Sequence, residues 1–282
     1  MRVELLRDAA AFLDAAEPLL LAEEARHNLM LGIAGDLRDG RRTETEARFW
    51  IVLDGVRPTA AAMQTPPYNL ILARPAVQSA LAALADAVED ELPGVVGGLP
   101  EAAVFAERWA ARTGSSVRRT MHQGVCALDE LRPLPRASGA ARAATAADRL
   151  LLLDWFRAFG REVLHAGSPG RGDLERTVDG RLGDRSCGFL LWDDAGRTVS
   201  LAGWGSPTPT GIRVGPVYTP PERRGRGYAT ALTAELSRRL LEGGKRFCFL
   251  YTDLANPVSN AIYERIGYRR VCESAELAFV RP

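Results

Sequence analysis

Apolar residues recur at two periods in the second half of the chain, and together they predict alternating helices and strands. Four large apolar residues fall on one face of a helix that ends near residue 163: Leu152, Trp155, Phe156 and Phe159. Thr145 or Asp148 is the predicted N-terminal cap, because each side chain can accept a hydrogen bond from a free backbone N–H. A short strand near Arg142 precedes this helix, and the polar, glycine-rich stretch at 165–183 predicts a loop after it.

Short apolar runs between turn residues predict the rest of this half. Strands are expected at 187–192, 198–204, 212–219, 247–252 and 271–280. The first two form a hairpin about a turn at 193–196. Helices are expected at 227–242, where Gly243 and Gly244 end the pattern, and at 258–266. The order β-α-β-β-β-α-β-α-β is typical of an α/β (α+β) fold with helices on the faces of a mixed sheet.

The first half shows a similar mixture of periods. Helices are expected over 9–30 (one or two), 75–92 and 101–112. Strands are expected at 49–53, 59–64, 69–73 and 117–128, with a turn at Asp54-Gly55 after the first. Prolines and small residues at 131–141 are typical of a linker. For a chain of 282 residues this predicts two domains, at 1–135 and 141–282.

Composition narrows the class of protein. The chain is 46% apolar and 25% charged, as in soluble globular proteins. Its 36 basic and 35 acidic residues argue against a nucleic-acid partner. Residues 141–282 contain 21 basic and 16 acidic residues, against 15 and 19 before them, which suits an anionic ligand or reflects chance surface composition.

Cysteine and histidine usage argues against a metal site. The four cysteines are scattered and the three histidines do not combine with them at the spacing of a structural zinc site. The N-terminus has no signal-peptide core and no apolar run reaches 18 residues, so we expect a cytoplasmic protein without a membrane partner.

Residues 214–229, with the sequence VGPVYTPPERRGRGYA, carry the clearest chemical signal. A strand leads through a loop with two glycines and three arginines into a helix, and free N–H groups at a helix start bind anions. Gly225 and Gly227 would let phosphate oxygens approach the backbone closely. A triphosphatase loop would need Gly-Lys-Ser/Thr, and a dinucleotide fingerprint a third glycine. The segment therefore predicts a pyrophosphate site, the alternative being a glycine-rich surface turn.

Two motifs give the second half a resemblance to a known superfamily. RGRGYA at 224–229 matches the Arg/Gln-x-x-Gly-x-Gly/Ala signature of the Gcn5-related N-acetyltransferases (GNAT). NPVSNAIYERIGY at 256–268 resembles the second motif of that superfamily, an Asn followed seven residues later by Tyr and then by Gly and an aromatic residue. The spacing of the two motifs agrees, and residues 141–282 look closest to the FR47-like branch.

The resemblance implies acetyl-CoA as co-substrate, on a mixed, mostly antiparallel twisted sheet flanked by helices. Its pyrophosphate would lie on the amides of residues 224–230, and its pantetheine arm would pair with the backbone of 217–219. Pro216 cannot donate in a strand ladder, so Gly215-Pro216 predicts a bulge that separates this strand from the strand at 247–252, the alternative being an ordinary edge strand that tolerates the proline. The expected binding residues are Val217, Tyr218, Thr219, Arg224, Gly225, Arg226, Gly227, Tyr228, Ala229, Thr230, Asn256 and Ser259.

The resemblance also implies roles in catalysis. An uncharged amine would attack the thioester while a backbone N–H near Val217 stabilises the oxyanion. Tyr263 would protonate the leaving thiolate, the alternative being a tyrosine that only packs. Asp253 is the candidate general base, since it is the acid nearest to both motifs.

The first half lacks the GNAT signature, yet its Thr65-Pro66-Pro67 echoes Thr219-Pro220-Pro221. With two halves of similar length, the sequence predicts a tandem protein of two GNAT-like domains, the first degenerate. The expected function is transfer of acetyl from acetyl-CoA to the primary amine of a small molecule, within a ternary complex, by a monomer or homodimer. The alternatives are a protein or peptide N-acetyltransferase and a non-catalytic CoA-binding sensor. Acceptor specificity is expected in 165–183 and at the seam between the halves.

Overall fold

Both halves of the chain contain the same ten elements in the same order, β-α-α-β-β-β-α-β-α-β. The computed structural model describes residues 1–43, 46–89, 91–135, 137–163, 171–184 and 186–281. The first half consists of β1 (Arg2–Leu6), α1 (Ala9–Leu21), α2 (Asn28–Arg38), β2 (Arg48–Asp54), β3 (Arg57–Gln64), β4 (Leu70–Leu72), α3 (Gln78–Ala87), β5 (Gly94–Gly98), α4 (Glu101–Thr113) and β6 (Ser116–Leu128). The second consists of β7 (Ala140–Ala143), α5 (Arg149–Val163), α6 (Arg171–Gly183), β8 (Gly188–Asp194), β9 (Arg197–Gly205), β10 (Gly211–Tyr218), α7 (Tyr228–Glu242), β11 (Phe247–Asp253), α8 (Pro257–Ile266) and β12 (Arg269–Val280).

The strands of both halves join in one twelve-stranded sheet, in the order β1-β2-β3-β4-β5-β12-β6-β11-β10-β9-β8-β7. The halves exchange their last strands: β12 lies between β5 and β6, and β6 pairs with β11. Within the described ranges, the parallel pairs are β4–β5 and β10–β11, and every other neighbouring pair is antiparallel. Each half therefore completes the sheet of the other, and the predicted linker connects the centre of the sheet to its edge.

Helices cover both faces of the sheet. In the first half, α1 and α2 pack on one face around Phe12 and Phe49, while α3 and α4 pack on the other around Leu81 and Phe105. In the second half, α7 and α8 cover one face, which we call the α7–α8 face, through residues such as Leu232. The opposite side, the α5–α6 face, is covered by the helices that give it its name.

Most elements of the second half agree with the sequence pattern, and one differs. Thr145 and Asp148 together cap the turn that leads into α5, so both predicted caps are used. The prediction of a loop over 165–183 is wrong for its second part, because residues 171–183 form α6; residues 165–170 lie outside the described residues. Leu174 and Val178 are buried one helical turn apart, a stripe that the surrounding glycines and charges obscured.

The first half departs further from its predictions. Two strands of the first half, β1 and β5, were not predicted. The sequence of β5, GVVGG, has low β-strand propensity, and the strand is stabilised by pairing with β4 on one side and β12 on the other. The helix predicted over 75–92 is shorter, since Val77 is extended and the Ala76 N–H donates to Thr59 O of β3.

The two Thr-Pro-Pro segments do not occupy equivalent positions in the two halves, so the predicted correspondence between them is wrong. Residues 65–67 follow β3, the third strand of the first half, whereas residues 219–221 follow β10, the fourth strand of the second. The two halves correspond through the order of their elements, and on that basis the strand equivalent to β10 is β4.

Candidate functional site

The parallel strands β10 and β11 separate after a short paired segment. Their pairing ends at Arg213↔Phe249. The predicted bulge is confirmed, because the register of β10 against β9 shifts between Val214 and Val217. Beyond this point β11 remains paired with β6 as far as Asp253↔Gln123. An opening, here called the notch, therefore lies between residues 214–218 of β10 and 250–253 of β11.

Backbone groups of β10 are available along the notch. The Tyr218 carbonyl accepts a hydrogen bond from Ser200 Oγ of β9 at 3.2 Å, so it is directed away from the notch. Successive residues of a strand direct their backbone groups to opposite edges, so the N–H and C=O of Val217 are directed at the open side. An extended ligand could pair with them as a further strand.

The segment after β10 exposes a run of backbone N–H groups. Gly225 and Gly227 have φ values of +77° and +81°, and Gly227 caps α7 without a side-chain hydrogen bond. The first bond into the helix runs from the Ala231 N–H to Gly227 O at 3.0 Å. Among the described residues, no acceptor lies within bonding distance of the six consecutive N–H groups at 225–230, which we call the amide loop. Such a loop attracts an anion by charge and by geometry.

Arg224 braces this loop instead of reaching out of it. Its Nε donates to Thr219 O at 2.9 Å, and its Nη2 is 2.6 Å from Glu162 Oε2 of α5. The guanidinium also lies 5.9 Å from the centre of the Tyr218 ring. Tyr218 itself is buried, and burial, together with the Glu162 charge, raises the pKa of its phenol. Of the predicted binding side chains, these two therefore shape the site, while Arg226 is exposed.

The side chains of the other predicted binding residues are largely engaged within the protein, so these residues offer a ligand their backbone groups more than their side chains. Tyr228 is buried and its hydroxyl donates to Asp194 of β8, which fixes the first turn of α7 against the sheet. Ala229 and Thr230 are partly buried in the same turn. Thr219 is buried, with its hydroxyl 2.8 Å from Ser200 Oγ.

Tyr263 lies on α8, on the α7–α8 face. Its ring packs edge-on against Tyr268, with centroids 5.9 Å apart. Burial raises the pKa of Tyr263 to about 12, and the nearby Cys126 thiol adds to the effect. No protein atom of the described residues makes a hydrogen bond with the Tyr263 hydroxyl, so its proton is not committed to the fold.

The residues after β11 form a connected turn. The Asp253 side chain is exposed and its Oδ1 accepts from the Ala255 N–H at 2.8 Å. Asn256 caps α8 by accepting from the Ser259 N–H at 3.1 Å. Asn256 and Ser259 thus orient the helix that carries Tyr263.

Sequence reasoning missed several groups around the notch. Glu162 lies at the end of an amphipathic helix, and its partner Arg224 is 62 residues further along the chain, so no local pattern indicates their contact. Asn260 ties α8 to the end of β11, since its Nδ2 donates to Asp253 O at 3.1 Å and its Oδ1 accepts from Thr252 Oγ1 at 2.9 Å. On the α5–α6 face, Arg181 and Arg213 lie beside the notch; the alternating glycines at 203 and 205, which make room for Arg181, were the available signal.

The described residues contain no cluster of three or more His, Cys, Asp or Glu side chains arranged to hold a metal ion. None of their helices has the length and apolar character needed to cross a membrane.

Comparison with known proteins supports the fold seen here. Residues 193–277 match the family model described as FR47-like protein. No curated protein matches the chain. An acetyltransferase of the GNAT family from Colwellia psychrerythraea is similar over 100% of both chains, with 11% identity and a TM-score of 0.60.

Two further structures are similar over the whole chain. A GCN5-related N-acetyltransferase from Sphaerobacter thermophilus is 20% identical, with a TM-score of 0.61 over 100% of this chain and 96% of that one. A tandem GNAT protein from the clavulanic acid biosynthesis pathway is 14% identical, with a TM-score of 0.58 over 100% of this chain and 99% of that one. The chain thus has a tandem GNAT fold of the α/β class, and residues 193–277 within its second half are similar to the FR47-like family.

Proposed function

We propose that the chain is an acyl-CoA-dependent N-acyltransferase that moves acetyl from acetyl-CoA to the primary amine of a small molecule. The observation that carries the proposal is the amide loop beside the notch. Six consecutive backbone N–H groups without acceptors, at the positive end of a helix, suit a pyrophosphate. The adjacent unpaired edge of β10 suits the extended, amide-containing arm that follows the pyrophosphate in CoA.

The residues present fit this co-substrate in charge and in space. Gly225 and Gly227 have no neighbouring atom within 4 Å of a built Cβ, so the loop is open toward solvent. Arg226 is exposed next to them and can supply positive charge, while Arg224 and Glu162 hold the loop in place. When bound, acetyl-CoA supplies the activated acyl group as a thioester.

The reaction would be a direct acyl transfer. The neutral amine attacks the thioester carbon, so that a C–N bond forms and the C–S bond breaks. The N–H of Val217, directed into the notch, is placed to donate to the carbonyl oxygen as charge develops on it. The amine nitrogen loses a proton and the CoA sulfur gains one.

Tyr263 is proposed as the proton donor to sulfur. A phenol whose pKa is raised to about 12 stays protonated at neutral pH, so it has a proton to donate to the sulfur as the C–S bond breaks. Asp253 is proposed to accept the proton of the amine; Ala255 holds one carboxylate oxygen, and the exposed side chain leaves the other accessible.

A turnover assay tests the proposal. Purified protein is incubated with acetyl-CoA and a panel of small primary amines, CoA thiol release is followed, and the N-acetyl product is identified by mass spectrometry. The proposal expects product with at least one amine and loss of thiol release in the Gly227→Val variant. Binding of acetyl-CoA with no turnover on any amine or peptide would favour a sensor, and turnover restricted to peptides would favour a protein N-acetyltransferase.

A further inference from the structure

Two arginines lie side by side on the α5–α6 face, next to the notch. Arg213 belongs to β10 and lies in the last residue pair before β10 and β11 separate. Arg181 reaches this place from α6, and its Nη1 donates to Gly215 O within the bulge at 3.0 Å. Arg213 is paired in register with Gly205 of β9, and Arg181 Cζ lies 3.8 Å from a Cβ built on Gly205. The two side chains therefore approach the same part of the sheet, and the charge of Arg213 acts on Arg181.

The strands are built to admit Arg181. A Cβ on Gly203 would lie 2.9 Å from Arg181 Nη1 and 2.9 Å from Gly215 O, so only glycine fits there. The guanidinium also lies over the Phe189 ring, 5.6 Å from its centre. These contacts hold the guanidinium of Arg181 against the sheet beside the bulge.

Neither arginine has a carboxylate partner in the described part of the chain. Within the described residues each makes one hydrogen bond: Arg181 with Gly215 O, and Arg213 from Nη2 to Ser206 Oγ at 2.9 Å. A guanidinium has five N–H donors, so most of the donors of this pair are uncommitted in that part of the chain. Asp36 of α2, whose charge acts on both arginines, already accepts from Arg41 at 2.7 Å and from Ser206 at 2.9 Å.

Placing two like charges together in a partly buried site is unfavourable unless an anion completes it. Burial and the charge of Arg213 lower the pKa of Arg181 to about 10, and burial likewise lowers the pKa of Arg213. Both groups still carry their charge at neutral pH. Tyr251 of β11, near Arg213, adds a neutral hydroxyl, because burial raises its pKa to about 12.

We propose that Arg181 and Arg213 bind an oxyanion group, carboxylate or phosphate, of the acceptor, and so restrict the enzyme to anionic amines. This inference rests on the proposed acetyl transfer, because it assigns the α5–α6 face of the notch to the acceptor. The amide loop and Tyr263 belong to the opposite, α7–α8 side. Acceptor and co-substrate would then approach the notch from different faces of the sheet, which leaves room for both in a ternary complex.

A purely structural role for the pair predicts something different. Arg181 braces the bulge through Gly215 O, so its loss disturbs the notch for every acceptor alike. In the described structure Arg213 donates to the Ser206 hydroxyl and to no backbone group, so its replacement leaves the Arg181 contact with the bulge in place. Arg213 is therefore the residue to test, and discrimination between acceptors is the readout.

The experiment compares amines that differ only in the anionic group. The panel pairs L-amino acids with their carboxamides, and O-phosphoethanolamine with ethanolamine. We expect kcat/KM for an anionic member to exceed that of its neutral partner by about 10- to 100-fold, the value of charge-assisted hydrogen bonds. The ratio should fall toward one in Arg213→Gln and be partly retained in Arg213→Lys. Arg238→Gln, which removes an exposed arginine of α7, is the matched control and should keep the full ratio.

A binding readout independent of turnover accompanies the assay. Thermal shift of the protein alone is measured with N-acetyl amino acids and with N-acetyl amino amides, and only the former should stabilise the wild type. Equal ratios in the wild type, or a preference that survives in Arg213→Gln, would overturn the inference. Acetyl-CoA binding is measured in parallel by calorimetry: if it is absent, the proposed function fails, whereas normal binding without anion preference defeats this inference alone.

Discussion

The two halves share their order of elements but differ at one joint, the connection from the fourth strand to the following helix. In the second half β10 has eight residues, bulges, and leaves β11 after Arg213. In the first half β4 has three residues and stays in register with β5 throughout, from Leu70↔Val95 to Leu72↔Gly97. A notch therefore exists in one half and is closed in the other.

The loops at this joint also differ in how many of their backbone N–H groups are free to bind a ligand. In the first half the Ala73 N–H donates to Ala61 O, the Arg74 N–H to His27 Nε2 and the Ala76 N–H to Thr59 O. Pro75 has no N–H to offer. Among the described residues of this connection, free N–H groups remain only from residue 77 onward, and there the Ala80 N–H already donates to Val77 O. The second half instead presents the whole amide loop at 225–230. The two halves thus share a topology but differ, at a few residues of this connection, in the free N–H groups that an anion would need.

A cavity of about 350 Å³ does open near this joint of the first half. Arg74 and His27 of its lining are engaged internally, since Arg74 pairs with Glu23 at 2.5 Å and His27 accepts from the Arg74 backbone. Among the described residues, the cavity therefore lacks a run of free backbone N–H groups like the amide loop of the second half.

The largest expected effect concerns the helix after the parallel strands. Tyr263 lies four residues before Gly267, the residue that caps the end of α8. The equivalent position of the first half, four residues before Gly114 at the end of α4, is Ala110, which has no proton to donate. We expect Tyr263→Phe to lower kcat by about 10²- to 10⁴-fold, as for loss of a general acid. Steady-state kinetics measure this, with calorimetry showing an unchanged acetyl-CoA affinity. A kcat equal to that of the wild type would remove Tyr263 from the mechanism.

The next effect concerns backbone conformation. We expect Gly227→Val to weaken acetyl-CoA binding by about 10- to 100-fold, because valine is strained at the φ of +81° that the amide loop requires. Gly55→Val is a matched control in the first half, where φ is +61° and no atom lies within 4 Å of a built Cβ. The control should lose stability without losing affinity, and equal losses in both variants would refute the assignment of the loop.

A smaller effect is expected from the brace of the loop. The Arg224–Glu162 pair is largely exposed, so its loss should weaken acetyl-CoA binding by no more than about 10-fold in Arg224→Ala and less in Glu162→Gln. Arg149→Ala breaks the Arg149–Asp179 pair of similar exposure, away from the loop, and serves as control. An acetyl-CoA dissociation constant unaltered in Arg224→Ala would count against a contribution of this residue.

The smallest effect is the absence of an alkaline decline. Tyr263 must be protonated to act, and a pKa raised to about 12 keeps it so through pH 10. Rising pH meanwhile deprotonates the acceptor amine, so kcat/KM should rise up to about pH 9 without a decline. Closer to pH 10, Arg181 loses its charge, because its pKa is lowered to about 10, and an anionic acceptor binds less well. A pH–rate profile tests this. A descending limb near pH 8 that disappears in Tyr263→Phe would contradict the assigned role.

The elements of the second half could be predicted from the sequence more completely than those of the first. Motifs and apolar periods located α7, α8 and the bulge at Gly215-Pro216, because these depend on local residue types. The exchange of β6 and β12 could not be foreseen, since strand pairing depends on contacts far apart in sequence. For the same reason Glu162, Arg181 and Arg213 escaped notice: each becomes informative only when folding brings it to the notch.

The most direct test of the central claim is calorimetric titration of the full chain with acetyl-CoA. Our account predicts one molecule bound per chain, with affinity reduced in Gly227→Val and retained in Gly55→Val. No heat of binding, two molecules per chain, or unchanged affinity in Gly227→Val would contradict the claim that only the second half binds CoA through its amide loop.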